Sequence, residues 1–476
     1  MIFNPQNYTI KDIPGVPFID KDEIISILNR TVRPTFSHVE DIVSKSLNGE
    51  RLSMEDAANL IKADDERSTE LILDSAKQIK KQIYGNRIVI FAPLYIGNNC
   101  INNCSYCGFR NQNKETIRKT LTEKELSAEV DTLLYAGHKR LILVYGEHPR
   151  YDAEFIAGSV KKVYETKNTH GEIRRVNINA APFDTESSRK IKEAGIGTYQ
   201  IFQETYDPDI YKKYHLGGNK TDYGYRLTAL DRAMDAGIDD AGIGALLGLY
   251  DWRFELLGLI RHANHLEACY NVGPHTISFP RIKNASNIDR KYEHEVKDED
   301  FIRFISILRL AVPYAGLILT AHEPSDLRDK VLDYGITQID GGTNLEIGGY
   351  SAKREEQDIN REQFHLDDER PLKDIINFLV DSGQVPSFCT ACYRKGRTGE
   401  SFMKLSATGE IKEFCTVNSL LTFAEYLEDF TETSLHSKGW SIINKECKKI
   451  ESDENLKKFL QNGLSEIKNG KRNILL

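Results

Sequence analysis

Short apolar runs rich in β-branched residues recur along this sequence, and each is followed by a turn and a segment with helical periodicity. Alternation of this kind predicts parallel strands that are joined by helical crossovers. Eight such units favour an α/β fold in which the strands close into a (β/α)8 barrel of the TIM type, with an open doubly wound sheet as the alternative. The eight runs begin at Arg87, Lys139, Arg175, Thr198, Asp240, His275, Ala315 and Thr337.

The predicted barrel leaves a leading part and a trailing part of the chain. Residues 1–85 are predicted to form a helical N-terminal extension, in which Ser53 and Asp56 have the spacing of a capping box. The barrel is predicted over residues 86–383, where a glycine and a following proline stop its last helix. Residues 384–476 are therefore predicted to form a separate C-terminal domain.

Composition narrows the class of protein. The formal net charge of -8 argues against a general nucleic-acid binder, which needs a concentrated basic surface. No apolar run approaches the roughly 20 residues that span a bilayer, and the start of the chain lacks the pattern of a signal peptide. We therefore expect a cytoplasmic protein with a small substrate and no membrane partner, whose eight cysteines serve metals or catalysis rather than disulfides.

Three of these cysteines stand close together after the first predicted strand. Cys100, Cys104 and Cys107 form C-x3-C-x2-C in a loop that, in a barrel, belongs to the active face. Three thiolates can hold three corners of a 4Fe-4S cluster and leave one iron open to a ligand. A structural zinc site is the alternative, but it usually needs four ligands, and this loop contains no fourth cysteine or histidine.

The triad resembles the signature of the radical S-adenosylmethionine (SAM) superfamily, C-x3-C-x-aromatic-C, with Tyr106 as the aromatic residue. The resemblance implies that SAM binds the open iron through its amino and carboxylate groups. It also implies that an electron from the cluster splits SAM into methionine and a 5′-deoxyadenosyl radical. In such enzymes the protein positions the cofactor and excludes competing reactions.

Four other residues at predicted strand ends or on a helix match parts of the same pattern. Gly146 and Glu147 resemble the Gly-Gly-Glu element that receives the SAM amino group, although a tyrosine replaces the first glycine. Glu204 suits the amino group or the ribose hydroxyls, and Arg232 suits the SAM carboxylate. An ordinary ion pair or a solvated charge is the alternative for Glu204 and Arg232.

A second cysteine triad lies in the C-terminal part. Cys389, Cys392 and Cys415 form C-x2-C-x22-C. A Cys3His zinc site is the alternative, but no histidine lies between Cys392 and Cys415. The ligand count therefore favours a second open 4Fe-4S cluster and makes the tail a C-terminal iron-sulfur domain.

The two triads, together with the segments HANHLEAC and GPHTISFPRI, resemble the HydG family of tyrosine lyases in [FeFe]-hydrogenase maturation. This resemblance implies that the radical cleaves the Cα–Cβ bond of L-tyrosine to give p-cresol and dehydroglycine. The fragment then becomes carbon monoxide and cyanide on the tail cluster, which carries an additional iron. The implied product is an Fe(CO)(CN) unit for assembly of the hydrogenase H-cluster, and the implied partners are an electron donor and other maturation proteins.

The resemblance also suggests site residues. His265 in HANHLE is the candidate ligand of the additional iron. This assignment places the two clusters at opposite ends of the barrel. A small fragment must then travel between them, which requires a partly open barrel interior. Arg281 is the candidate clamp for the tyrosine carboxylate, and His275 and Ser278 are further substrate candidates. Two other functions stay open: a 2-iminoacetate synthase of the thiamine type, and a non-catalytic iron-sulfur scaffold.

Overall fold

The computed structural model describes residues 11–288, 291–352, 358–408, 410–450 and 454–476. Within these ranges no helix is long and apolar enough to cross a membrane.

Eight parallel strands form a closed barrel, which confirms the predicted (β/α)8 fold and rules out the open sheet. Each strand pairs with its neighbour in chain order, and the last strand pairs with the first. Every predicted apolar run overlaps one strand. The strands are β1 (Arg87–Gly97), β2 (Arg140–Tyr145), β3 (Arg175–Asn179), β4 (Tyr199–Glu204), β5 (Ala241–Ala245), β6 (Thr276–Ser278), β7 (Gly316–Leu319) and β8 (Ile336–Asp340).

Four helices precede the barrel, as the sequence predicts: α1 (Lys21–Arg30), α2 (Phe36–Leu47), α3 (Met54–Lys62) and α4 (Glu66–Tyr84). Ser53 and Asp56 form the predicted capping box at the start of α3. The helices between and after the barrel strands are α5 (Glu123–Ala136), α6 (Ala153–Glu165), α7 (Thr185–Glu193), α8 (Pro208–Tyr214), α9 (Tyr223–Leu227), α10 (Ala229–Asp235), α11 (Trp252–Tyr270), α12 (Asp298–Ala311), α13 (Ser325–Val331), α14 (Gly349–Ala352) and α15 (Leu372–Asp381).

The C-terminal part begins as a ninth strand of the barrel sheet. Strand β9 (Val385–Ser387) pairs in parallel with residues 87–89, the first residues of β1. Because of this pairing, the tail covers the end of the barrel where the strands begin. The boundary between residues 383 and 384 stays a prediction. The tail helices are α16 (Ala391–Arg394), α17 (Gly399–Thr408), α18 (Ile411–Phe430), α19 (Thr433–Cys447) and α20 (Glu454–Lys468).

Two helix-interior glycines offer a test of the packing around the barrel. A Cβ atom on Gly258 in α11 would lie 2.5 Å from the ring of Tyr206, whereas a Cβ on Gly158 in α6 would meet nothing within 4 Å. Gly258→Ala should therefore lower the free energy of unfolding by about 1–3 kcal/mol. Gly158→Ala should raise it by about 0.5–1 kcal/mol, because glycine is entropically costly inside a helix. Urea unfolding of both variants measures the difference, and equal stability would contradict the close α11 packing.

Candidate functional site

The first triad lies where the barrel strands end. Cys100, Cys104 and Cys107 all line a cavity of about 220 Å³, whose walls include residues at the C-terminal ends of β2, β3, β4 and β8. The three thiols thus share one enclosed space, and the cavity leaves room for a further ligand beside them. This arrangement fits a cluster that is held at three corners and open at the fourth.

The thiols of Cys104 and Cys107 are costly to ionise in the folded chain. Burial raises the pKa of Cys104 to about 12, against the opposing effect of the Lys220 ammonium group. Burial and the neighbouring Cys100 thiol also raise the pKa of Cys107. A bound metal removes this cost, because a coordinating thiol loses its proton to the cation's charge. The donor set therefore fits an iron-sulfur group.

Two arginines and a glycine fix the shape of the cysteine loop. The Arg118 guanidinium donates to the carbonyl oxygens of Asn98 at 2.6 Å and Phe109 at 2.8 Å. Arg110 donates to the carbonyl of Cys107 at 3.1 Å. Gly146 lies so close to the loop that a Cβ there would be 2.2 Å from the Asn99 carbonyl oxygen. The lack of a side chain at Gly146 thus allows its backbone to lie close to the cysteine loop.

Tyr106, the aromatic residue of the motif, is buried at the cavity wall. Its hydroxyl shares a hydrogen bond of 2.9 Å with Nε2 of His215. The backbone of His215 forms an antiparallel bridge with Cys104. The aromatic side chain therefore ties the cysteine loop to the segment that follows α8.

The two predicted acidic residues both line the cavity. Glu147 accepts a hydrogen bond of 2.7 Å from the Asn102 side chain in the cysteine loop. Glu204 forms an ion pair of 2.5 Å with Lys220. The backbone φ of Glu204 is +73°, an uncommon conformation for a residue other than glycine, and such strain concentrates at functional sites.

The structure corrects the predicted arginine. Arg232 is not among the cavity-lining residues, and its guanidinium donates to the carbonyls of Phe183 and Tyr225. Arg226, six residues earlier, is buried in the cavity wall and lies 3.8 Å from Glu147. Both residues follow β4, but α9 and α10 point their side chains in different directions. Periodicity alone did not distinguish them.

Two of the three predicted substrate residues also lie elsewhere. Arg281 is not among the cavity-lining residues, because it is held by Glu323 at 2.7 Å and Asp298 at 2.8 Å. His275 precedes β6 and belongs to the opposite end of the barrel, whereas Ser278, at the end of the same strand, lines the cavity. Because β6 has only three residues, His275 and Ser278 lie at opposite ends of the barrel although they are three positions apart in the sequence.

Among the further cavity residues, Tyr95 and His322 stand near the ends of predicted strands, whereas Lys283 and Gln363 had no signal in the local sequence. Lys283 lines the wall that was predicted to hold Arg281. Gln363 accepts a hydrogen bond of 2.8 Å from Tyr95 and donates one of 3.5 Å to the Cys107 sulfur. The His322 ring contacts the Phe364 ring at 3.8 Å between centroids, with the two planes tilted by 43°. These contacts join distant parts of the chain, which is why sequence spacing did not indicate them.

The second triad lies at the other end of the barrel. Cys389, Cys392 and Cys415 line a cavity of about 40 Å³ together with His275 and residues at the beginnings of the strands. A hydrogen bond from Cys392 lowers the pKa of Cys415 to about 7, so this thiol is the easiest of the three to ionise. Three thiols on one small cavity again fit a three-cornered cluster.

Buried arginines surround the second triad. Arg87, Arg140 and Arg175 all line its cavity. Burial, followed by the charge of the neighbouring Arg175, lowers the pKa of Arg140 to about 9. Arg175 is paired with Asp240 at 2.6 Å. The cavity is therefore a strongly positive environment that stabilises thiolates and other anions.

The prediction that His265 faces the second triad is wrong. Its Nδ1 lies 2.7 Å from Asp12 and its Nε2 lies 2.8 Å from Asp231, so both ring nitrogens are engaged by carboxylates. The ring also stacks on Phe18 at 3.7 Å. The α11 face that carries His265 is covered by the segment before α1 rather than by the tail. His275, in the second quoted segment, occupies the predicted place.

Two cysteines belong to neither triad. Cys269 and Cys447 are both partly exposed. Cys269 lies 3.8 Å from Nδ1 of His265, outside both cavities.

A single apolar layer stands between the two cavities. Phe91, Ile142 and Ile318 form a cluster inside the barrel and line the first cavity. The inward-facing residues two positions earlier on the same strands line the second cavity: Val89, Arg140 and Gly316. On the side of the barrel formed by these three strands, a molecule moving between the cavities has to displace one layer of apolar side chains. An interior that is open in the resting structure is not observed along these strands.

Comparison with known proteins agrees with this architecture. The Radical SAM superfamily profile matches residues 94–257, and the Biotin and Thiamin Synthesis associated domain profile matches residues 278–384.

Two solved structures of HydG, a maturase of the [FeFe]-hydrogenase, are similar over nearly the whole chain. One has 42% identity and a TM-score of 0.93, covering 96% of this chain and 100% of its own. The other, from Carboxydothermus hydrogenoformans, has 38% identity and a TM-score of 0.81, covering 93% of this chain and 97% of its own. The 2-iminoacetate synthase of Salmonella typhimurium is 29% identical over 346 residues, which is 72% of this chain and 89% of that protein.

The correction from Arg232 to Arg226 is testable by ligand binding. Arg226→Gln should weaken binding of SAM, the ligand that the first motif implies, by roughly 10- to 100-fold, because hydrogen bonds to charged groups contribute about 1.5–3 kcal/mol. Arg232→Gln is the matched control and should leave the affinity unchanged. Equilibrium dialysis of SAM against anaerobically reconstituted protein measures both. An equal loss in the two variants would contradict the assignment.

Proposed function

We propose, because the chain belongs to the HydG family of [FeFe]-hydrogenase maturases, that it is a radical SAM lyase that cleaves L-tyrosine at the Cα–Cβ bond. The proposed products are p-cresol and dehydroglycine, and the latter is converted to carbon monoxide and cyanide at the second triad. An Fe(CO)(CN) unit for H-cluster assembly then leaves the protein. The observation that carries this proposal is the presence of two cysteine triads, each on its own cavity, at opposite ends of one barrel.

The first cavity has separate places for the parts of SAM. Family membership implies a 4Fe-4S cluster and SAM, and we assign the cluster to Cys100, Cys104 and Cys107. When bound, this cluster supplies the electron that splits SAM. Arg226 presents a buried cation for the SAM carboxylate, and Glu204 presents acceptor oxygens for its amino group or ribose hydroxyls.

The opposite wall of this cavity suits an amino acid. Lys283 lines the cavity although it is paired with Asp367 at 2.7 Å, and it replaces Arg281 as our candidate partner for the tyrosine carboxylate. The Ser278 hydroxyl is a further polar contact. Burial lowers the pKa of His322 to about 3, so its imidazole is neutral at pH 7. Its Nδ1 lies 3.1 Å from the Arg281 carbonyl and so carries the proton. Nε2 is then free to accept a hydrogen bond from the tyrosine phenol or amine.

The second cavity suits anions and an additional iron. We assign the second 4Fe-4S cluster to Cys389, Cys392 and Cys415, and we propose His275 in place of His265 as the ligand of the additional iron. Burial lowers the pKa of His275 to about 4, which leaves a neutral ring with a lone pair. Its Nδ1 lies 3.7 Å from Asp240, a partner that orients the ring.

A 2-iminoacetate synthase is the second candidate function, because the Salmonella relative of that name aligns with 72% of the chain. Such an enzyme shares the first cavity's chemistry and stops at the glycine imine. A non-catalytic iron-sulfur scaffold is the remaining alternative, and it predicts no SAM cleavage with any reductant.

Product analysis distinguishes these functions. Protein reconstituted anaerobically with iron and sulfide is incubated with SAM, dithionite and L-tyrosine, and 5′-deoxyadenosine, p-cresol, carbon monoxide and cyanide are assayed together. The wild type should form all four, and a Cys389→Ala, Cys392→Ala variant should lose carbon monoxide while keeping p-cresol.

Cys447→Ala, which removes a partly exposed cysteine outside both cavities, is the matched control and should behave as wild type. Imine without carbon monoxide from the wild type would favour the synthase. Absence of 5′-deoxyadenosine would favour the scaffold.

The two histidines give a second test of the tail site. His275→Ala should lower the iron content of the reconstituted protein and change the electron paramagnetic resonance signal of the second cluster, while p-cresol formation continues. His265→Ala should keep the iron and lower the unfolding temperature, because Asp12 and Asp231 lose their shared partner. The reverse pattern would restore the original sequence-based assignment.

A further inference from the structure

The segments around the first triad have a charge opposite to that of the whole chain. The sequence contains 63 lysines and arginines against 71 aspartates and glutamates. Residues 100–120 and 211–220, however, contain seven basic residues and a single acidic one, Glu115. Asp209, which precedes the second range in α8, forms an ion pair of 2.6 Å with Lys21. The basic residues are Arg110, Lys114, Arg118, Lys119, Lys212, Lys213 and Lys220.

The second of these segments packs directly against the cysteine loop. The amide of Leu216 donates to the Asn103 carbonyl at 3.1 Å, and the Asn103 amide donates to the Gly217 carbonyl at 2.9 Å. The Ser105 amide donates to the Tyr214 carbonyl at 2.9 Å. The outer face of this segment is therefore separated from the buried Cys104 by one layer of backbone.

An apolar side chain stands at the centre of this face. Leu216 is 59% exposed. Lys212 and Lys213, at the end of α8, are both exposed beside it. Lys212 forms no ion pair within the described ranges, and Lys213 has only a distant one of 3.7 Å with Glu293. An apolar contact with a charged rim is the composition of a small transient interface.

The other side of the loop carries further positive charge without an acidic partner in the described part of the chain. The Arg110 guanidinium bonds to the backbone carbonyls of Cys107, Ser286 and Asn287. These bonds orient the Arg110 side chain, and because carbonyl groups carry no net charge, they do not neutralise its positive charge. Lys114 is exposed and has no described ion pair. Positive charge is therefore present both at the end of α8 and on the cysteine loop.

We propose that Lys212, Lys213 and Leu216, with Arg110 and Lys114, form the docking face for a small acidic protein that carries one electron. This inference rests on the radical SAM part of the proposed function, because cleavage of SAM needs a reduced cluster. In the step concerned, the carrier is oxidised by one electron and the first cluster is reduced by one, and no bond or proton changes hands. Opposite charge increases the rate of encounter, and the short path through the loop brings the carrier close to the cysteines.

The test compares two reductants with one set of variants. The charge reversal is Lys212→Glu, Lys213→Glu, and the matched control is Lys161→Glu, Lys162→Glu on α6, away from the cysteine loop. Formation of 5′-deoxyadenosine is measured under anaerobic conditions with reduced flavodoxin, used as an acidic protein carrier, and separately with dithionite. The α8 variant should lose at least about tenfold in the flavodoxin-driven rate, with a weaker salt dependence, and keep the dithionite-driven rate.

Leu216→Ser and the milder Lys212→Gln, Lys213→Gln guard against a folding defect and should lower the same rate by smaller factors. The proposal is overturned if flavodoxin drives the α8 variant as fast as the wild type, or if the α6 control loses as much. If the glutamate variant loses the rate of 5′-deoxyadenosine formation with both reductants, the glutamine variant decides. That variant must then lose the flavodoxin-driven rate while keeping the dithionite-driven rate. If the wild type makes no 5′-deoxyadenosine with dithionite, the radical SAM function itself has failed.

Discussion

Strand β1 is the element on which both ends of the molecule depend. It pairs with β2 through residues 92–97, with β8 through residues 89–91 and with β9 through residues 87–89. The first pairing leads into the cysteine loop, the second closes the barrel, and the third attaches the tail that carries the second triad. Because these ladders share one strand, displacing β1 alters the two cysteine sites and the barrel closure together.

Local patterns predicted much of this arrangement, for identifiable reasons. The strands are rich in apolar residues, since a barrel strand is covered by helices outside and by side chains inside, and runs of that kind are visible in a sequence. The first triad was equally visible, because its ligands lie within eight consecutive residues of one loop. The second triad needed only a count of cysteines and the absence of an intervening histidine.

Two of the failures concern residues whose partners are distant in the chain. Arg281 is engaged by Glu323, which follows it by 42 residues. His265 is engaged by Asp12, which precedes it by 253 residues. No periodicity records such pairings. His275 was assigned to the wrong cavity because β6 has only three residues, so a small change of position along it exchanges one end of the barrel for the other.

The apolar layer of Phe91, Ile142 and Ile318 has a consequence for the chemistry on either side of it. Hydrocarbon side chains solvate a neutral diatomic molecule nearly as well as they solvate each other, but an ion that enters them loses its hydration without replacement. Along these three strands the layer therefore admits neutral molecules more readily than ions. Inward side chains of other strands, Gln200 at the first cavity and Gln338 at the second, are polar and offer hydrogen bonds instead.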